Sequence, residues 1–170
     1  GDFAELMPSL VKFGVHVRVS VDSALPSIND RNRPVNPRVV PPATSAWHSA
    51  KDTIQRLLSE KVAVSVQSVV TAATDRLTDW LELRDMLVQW GVHHWVLHVV
   101  VGGGKARQIE HQAATHKRRQ GLRPASDVGR RLANLVQDTV DRNLPIDIRC
   151  TDTDDRPNSV LLVAANGDLY

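Results

Sequence analysis

Residues 15–34 read VHVRVSVDSALPSINDRNRP. Val15, Val17, Val19 and Val21 alternate with His16, Arg18, Ser20 and Asp22, a period of two that predicts a strand with one valine face packed on helices. After Asp22-Ser23 the residues turn to Pro26, Asn29, Asp30, Asn32 and Pro34, a loop composition. Ser20 and Asp22 therefore stand at the carboxyl end of a strand, on the face away from the valines, with Arg31 and Arg33 in the loop that follows. In α/β proteins that end of a strand is where ligands are held.

Two later stretches repeat the pattern. Val62–Thr71 (VAVSVQSVVT) predicts a second strand with Val62, Val64 and Val66 on one face and Ser65 and Gln67 on the other. Trp95–Val101 (WVLHVVV) is nearly continuous in apolar residues, as a central parallel strand should be, and runs into Gly102-Gly103-Gly104-Lys105. Helical spacing precedes each strand. Phe3, Leu6, Leu10 and Phe13 form a stripe ended by Gly14, with Pro8 near the helix start. Trp47, Ala50, Ile54, Leu57 and Leu58 form another, capped by Thr44 or Ser45 and broken at Lys61. Leu77, Leu81, Met86 and Leu87 are the expected inner face of a third helix that starts at Thr74-Asp75 and ends at Gly91. Helix and strand in strict rotation mean parallel strands with right-handed crossovers.

The remainder is less regular. Prolines 34, 37, 41 and 42 make the segment up to Thr44 an extended loop. Lys105–Arg123 is polar and basic, a helix follows from Ser126 or Asp127 to Pro145, and Ile146–Cys150 is a short fourth strand. Ser159–Ala164, Asn166-Gly167 and Asp168–Tyr170 predict a C-terminal β-hairpin. The expected architecture is α/β: a partial, half TIM-like barrel over residues 1–149, then a strand and truncated hairpin over 150–170.

Composition narrows the function. The 170 residues are 42% hydrophobic and 24% charged, which suits one globular domain with its own core. A formal net charge of +2 is too small to imply nucleic acid. The basic run 105–131 has no interleaved aromatics to stack on bases, so it is expected to be a solvated face. No long uncharged apolar run suggests a membrane span, and a single cysteine makes an intracellular, cytoplasmic setting the simpler expectation. The Gly102–Lys105 run fits neither the Walker nor the dinucleotide spacing. His94 and His98 share a strand face, but no carboxylate stands at matching spacing, so no metal site is expected.

VRVSVDS, INDRNRP, LLSEKVAVSVQSVVT and LTDWLELRDMLVQWGVHHWVLHVVVGGGKA, in this order, resemble the later half of a radical S-adenosylmethionine (radical SAM) domain. Ser20, Asp22, Asp30 and Arg33, with Arg31 as a second candidate, match the family's Ser-x-Asp phrase and following loop. Ser68–Thr71 matches its fifth strand, Gly91–Gly102 its sixth, and VLLVAANGDLY a hairpin seen after the barrel. The resemblance implies S-adenosylmethionine across the strand ends. Its ribose would lie on Ser20 or Asp22, its adenine beside Val101, Gly102 and Gly103, and Gln67 and Thr71 would meet methionine or substrate. Arg31 and Arg33 would either touch substrate or simply pair with Asp30 or Asp22.

Elements of the family are missing, among them the Gly-Gly-Glu-type element of its second strand, and Thr74 stands where its fifth strand often has an asparagine. The Cys-x-x-x-Cys-x-x-Cys loop that holds its [4Fe-4S] cluster is absent, since Cys150 is the only cysteine. Cys150 is either an auxiliary-cluster ligand in a longer parent or an inert thiol. The expectation is therefore a fragment of a radical SAM enzyme, inactive and without cofactor by itself. Its parent would make a 5′-deoxyadenosyl radical to modify a small molecule or a peptide. The implied partners are the missing N-terminal half of the barrel and a second copy meeting it through exposed strand edges. The alternative is a non-catalytic α/β half-barrel that binds a ligand or a protein.

Overall fold

Short runs of β-branched residues separated by amphipathic helices can bury one sheet face only if each helix returns the chain to start the next strand beside the last. The computed structural model, which describes residues 3–35, 45–100 and 124–151, has this form. Its elements are α1 (Phe3–Lys12), β1 (Val17–Ser20), α2 (Pro26–Asn32), α3 (Ala46–Ser59), β2 (Val64–Val70), α4 (Leu77–Gln89), β3 (His94–Val99), α5 (Val128–Asp141) and β4 (Asp147–Thr151). The four strands form one sheet in the order β1-β2-β3-β4, every neighbouring pair parallel. The protein is thus α/β, with helices between parallel strands. The C-terminal hairpin, Val101, Gly102, Gly103, the basic run 105–123 and residues 36–44 of the proline segment lie outside the described residues. Among the described residues no helix is long and apolar enough to cross a membrane.

Register sorts the strand residues into two faces. Val17 pairs with Val64, Val66 with Trp95, and Trp95 with Ile148. One face therefore carries Val17, Val19, Val64, Val66, Val70, Trp95, Leu97 and Ile148, and it packs with Ile54, Leu57, Leu83, Leu87 and Leu135 of the helices into a single core. A polar line crosses this apolar face. The Trp95 indole Nε1 donates to Ser68 Oγ at 2.8 Å, and Ser68 Oγ donates to the Val21 carbonyl. A buried hydroxyl with both a donor and an acceptor partner is satisfied, so it ties three strands together without a desolvation penalty.

The joins from helix to strand follow one design. Gly14, Lys61, Gly91 and Asn143 all have positive φ, at 58°, 60°, 84° and 49°. In each case the residue's N–H reaches back three residues and the next N–H reaches back five, for example Gly91 N to Val88 O and Val92 N to Leu87 O, both 3.0 Å. This is the Schellman arrangement, which satisfies the last helical carbonyls and turns the chain into the strand. Gly14 and Gly91 do this without steric cost; Lys61 and Asn143 hold the same backbone against their Cβ atoms.

Three expectations change. Residues 26–32 form a helix rather than loop, with Pro26 at its start, where a missing N–H is harmless. Among the described side chains of α1, Met7 is buried and Leu10 packs against the core, while Leu6 of the expected inner stripe, and Phe13 just past the helix, are exposed, Phe13 by 71%. On α4 the fully covered residues are Trp80, Leu83, Arg84 and Leu87; Leu77, Leu81 and Met86 are only partly covered. Arg84 is 0% exposed and reaches Asp85, Asp138 and Thr139, so a cation within the core ties α4 to α5. Such a group is tolerable only because it is paired on several sides.

Candidate functional site

The second face of the sheet is polar: Arg18 and Ser20 on β1, Ser65 and Gln67 on β2, His94 and His98 on β3, and Asp147, Arg149 and Thr151 on β4. At its carboxyl end the register sets Ser20 opposite Gln67. Gln67 Nε2 donates to Ser20 Oγ at 2.9 Å, and both side chains are half-buried. This pairing leaves the Ser20 hydroxyl proton and the Gln67 amide oxygen to serve a ligand's donor or acceptor groups.

Asp22 stands just past the strand and is otherwise engaged. Its Oδ1 accepts from the Val69 N–H at 2.8 Å and from Arg33 Nη2 at 3.0 Å, and Oδ2 lies 2.9 Å from Arg33 Nε. Its own N–H donates to the buried Asn29 Oδ1 at 2.9 Å. A carboxylate only 4% exposed, gripped by a guanidinium fork and a backbone N–H, is a staple: it fixes the end of β1 to β2 and to the residues after α2. Arg33 accordingly takes the pairing role and is directed at Asp22. Arg31 lies exposed on α2, away from this pair.

The segment around α2 completes the rim. Asp30 Oδ1 accepts from the Trp47 N–H at 2.8 Å, and Trp47 Nε1 donates to the Ser23 carbonyl at 3.2 Å. Burial works to raise the Asp30 pKa, but hydrogen bonds from Ser45, Trp47 and Asn29 together hold it below the ordinary carboxylate range. Trp47 meets Trp90 edge-on at 5.7 Å between ring centroids, with Lys51 Nζ near both rings.

Thr71 is buried and turned into its own loop. Its N–H donates to Thr74 Oγ1 at 2.9 Å and its Oγ1 lies 3.3 Å from Thr74 Oγ1, while Thr74 Oγ1 donates to the Val69 carbonyl at 3.1 Å. Thr74-Asp75 thus shapes the end of β2 instead of capping α4, whose N-cap position is Arg76 without a side-chain cap. Asp75 pairs with Arg131 and accepts from the Ala125 N–H at 2.7 Å, holding the start of α5 over the strand end. Val101, Gly102 and Gly103 fall outside the described residues.

Sequence reasoning missed one contributor and the charge environment of another. Asn29 is fully buried and orients Asp22 through the backbone; its position in an apparent loop gave no warning. His98 lies on the open face, where its Nδ1 meets Thr151 Oγ1 at 2.6 Å. Partial burial, then the positive charges of Arg18 and Arg33, lower its pKa, so the ring is neutral near pH 7 and able to act as a base. Its even-numbered place on the strand was legible; its charge environment was not. Cys150 is exposed on β4, although packing beside the thiol raises its pKa and makes it a poor nucleophile. Among the described residues no three metal-ligating side chains converge.

No family model and no curated protein matches this sequence. Among solved structures, the crystal structure of Streptococcus suis SuiB superimposes on 81% of this chain with a TM-score of 0.56 at 7% identity. The chain spans 27% of the length of SuiB, and at this identity the likeness is one of fold.

Proposed function

We propose that the four strands are half of a radical SAM barrel, with the polar sheet face turned to the lumen and S-adenosylmethionine lying across the strand carboxyl ends. The observation that carries this reading is the Ser20–Gln67 pair, two uncharged polar groups side by side at the rim of adjacent parallel strands. The strand order, with each strand beside its sequence neighbour, suits a barrel arc, whereas a doubly wound sheet reverses its order part-way.

Ser20 and Gln67 then hold ribose hydroxyls, one donating and the other accepting. Asp22 acts as a positioning residue: with Arg33 and Asn29 it fixes the strand end and the α2 rim around the ligand. Thr71 shapes the neighbouring turn, and Val101–Gly103 complete the adenine side. When cleaved reductively at an iron–sulfur cluster, S-adenosylmethionine supplies a 5′-deoxyadenosyl radical for hydrogen abstraction from a small molecule or peptide. The cluster itself does not fit this chain, since Cys150 is its only cysteine. Its thiolate ligands would come from another segment. The edges of β1 and β4, which pair with no further strand among the described residues, are where the other half of the barrel, or a second copy, would pair.

The lack of cluster ligands favours one second reading, a non-catalytic α/β module that binds a ligand or a protein. Calorimetric titration with S-adenosylmethionine separates the two. The radical SAM reading expects saturable heat, weakened about tenfold in the Ser20→Ala, Gln67→Ala double variant, as loss of about two hydrogen bonds implies. Heat that persists unchanged in that variant supports the second reading.

A further inference from the structure

At the opposite, amino end of the open face lies a cavity of about 190 Å³ that the proposed cofactor site leaves unused. It is lined by His16 and Arg18 before and on β1, Ser65 on β2, His94 on β3, and Asp147 and Arg149 on β4. The His16 and His94 rings are 6.4 Å apart. The one carboxylate, Asp147, is already held by Arg149 Nε at 2.9 Å and lies 3.7 Å from His94 Nδ1. Two guanidinium groups and two imidazoles thus converge on a space that holds one partly neutralised carboxylate.

Ser65 makes this more than a basic patch. It is 3% exposed, it lines the cavity, and its Oγ finds no hydrogen-bond partner among the described residues. A buried hydroxyl left unpaired costs free energy that a ligand accepting its proton recovers. The donors stand on four neighbouring strands, spread across the cavity and not gathered into a single fork. A planar carboxylate presents two oxygens to one side, whereas a tetrahedral oxyanion presents acceptors to all of them.

We infer that this cavity binds a tetrahedral oxyanion, as free phosphate or as the phosphate group of a small ester, with Arg18, Arg149 and Ser65 as its principal donors. The inference stands independently of the radical SAM reading, because it uses the other end of the sheet.

The test is a titration of the isotopically labelled chain with inorganic phosphate, followed by NMR at constant ionic strength, with glycerol phosphate and succinate in parallel. Saturable shifts at the Arg18, Ser65, Val96 and Arg149 amides and the His16 and His94 rings are expected with phosphate or glycerol phosphate, and whichever binds tighter identifies the source. Succinate should bind several-fold more weakly. Arg18→Gln with Arg149→Gln should weaken binding at least about tenfold, and both residues are exposed, so the variant should keep its fold. Ser65→Ala should weaken binding while leaving thermal stability equal or higher, since it removes an unpaired buried hydroxyl. Ser20→Ala, at the other end of the sheet, should leave phosphate affinity unchanged. Shifts reproduced by chloride, equal binding of succinate, no saturation, or wild-type affinity in the variants would overturn the inference.

Discussion

The two faces of the sheet use the same backbone for opposite ends. On the helix-covered face Val66, Trp95 and Leu97 are completely buried, and the one polar element, Ser68, has both its partners. On the open face Arg18, His94 and Arg149 are exposed, Ser20 and Gln67 half-buried, and Ser65 is buried without a partner. Around β2 and β3 the covered face is closed chemically as well as sterically. The open face keeps hydrogen-bonding capacity in reserve, which is where a protein can accept a ligand without first breaking its own contacts.

Truncation should split the faces most sharply. Leu97→Ala opens a cavity in the core and should cost about 2–5 kcal/mol, while Val96→Ala, next to it but on the open face, should cost under about 1 kcal/mol. Urea unfolding of the two variants measures both; equal losses would mean that the open face is covered in solution. Asp22→Ala comes next. It leaves the Val69 N–H and the Arg33 guanidinium without their acceptor, and a loss of about 2–3 kcal/mol is expected in the same experiment. A neutral result would return Asp22 to the ligand-binding residues rather than to the structure.

The smallest expected effect is electrostatic. His98 has a folded-state pKa below its ordinary value of 6.5, so between those two values the unfolded chain binds more protons than the folded one. The His98 contribution to stability is therefore fully present above about pH 6.5, and it falls away as the pH drops through that window. Thermal melts from pH 7.5 to 5 should show a decline that His98→Gln reduces, and the His98 ring signals in NMR should titrate below those of an exposed histidine. A ring titrating at or above the ordinary value would show that neither burial nor the charges of Arg18 and Arg33 govern it.

Much of the fold was legible because its signals are local. The alternation of Val17, Val19 and Val21 marks a strand, and Gly14 and Gly91 mark helix ends, since glycine alone adopts the left-handed turn freely. Where the signal was ambiguous the expectation failed. Asn and Pro composition hid α2, which owes its seven residues to Trp47 and Ser45 bonding back to Asp30. The stripe on α1 was read with the right period, but only Leu10 of it is shown against the core while Leu6 and Phe13 are exposed, because periodicity reports amphipathicity and not which neighbour is present. Nothing in the sequence marks Arg84 for burial, which is possible only because Asp85 beside it and Asp138 and Thr139 from α5 pair with it.

The candidate site divides in the same way. Sequence by itself determined that Ser20, Gln67 and His98 project from the polar side of their strands, because side chains alternate with a fixed period of two. Tertiary structure decided everything that depends on register: Ser20 opposite Gln67, Asp22 against the Val69 N–H, and Ser65 at the floor of a basic cavity. Those pairs are 47 residues apart in the case of Ser20–Gln67 and Asp22–Val69. Alternation along one strand carries no information about its offset from the next, and that offset is fixed only when the valine faces, helices and joins pack together.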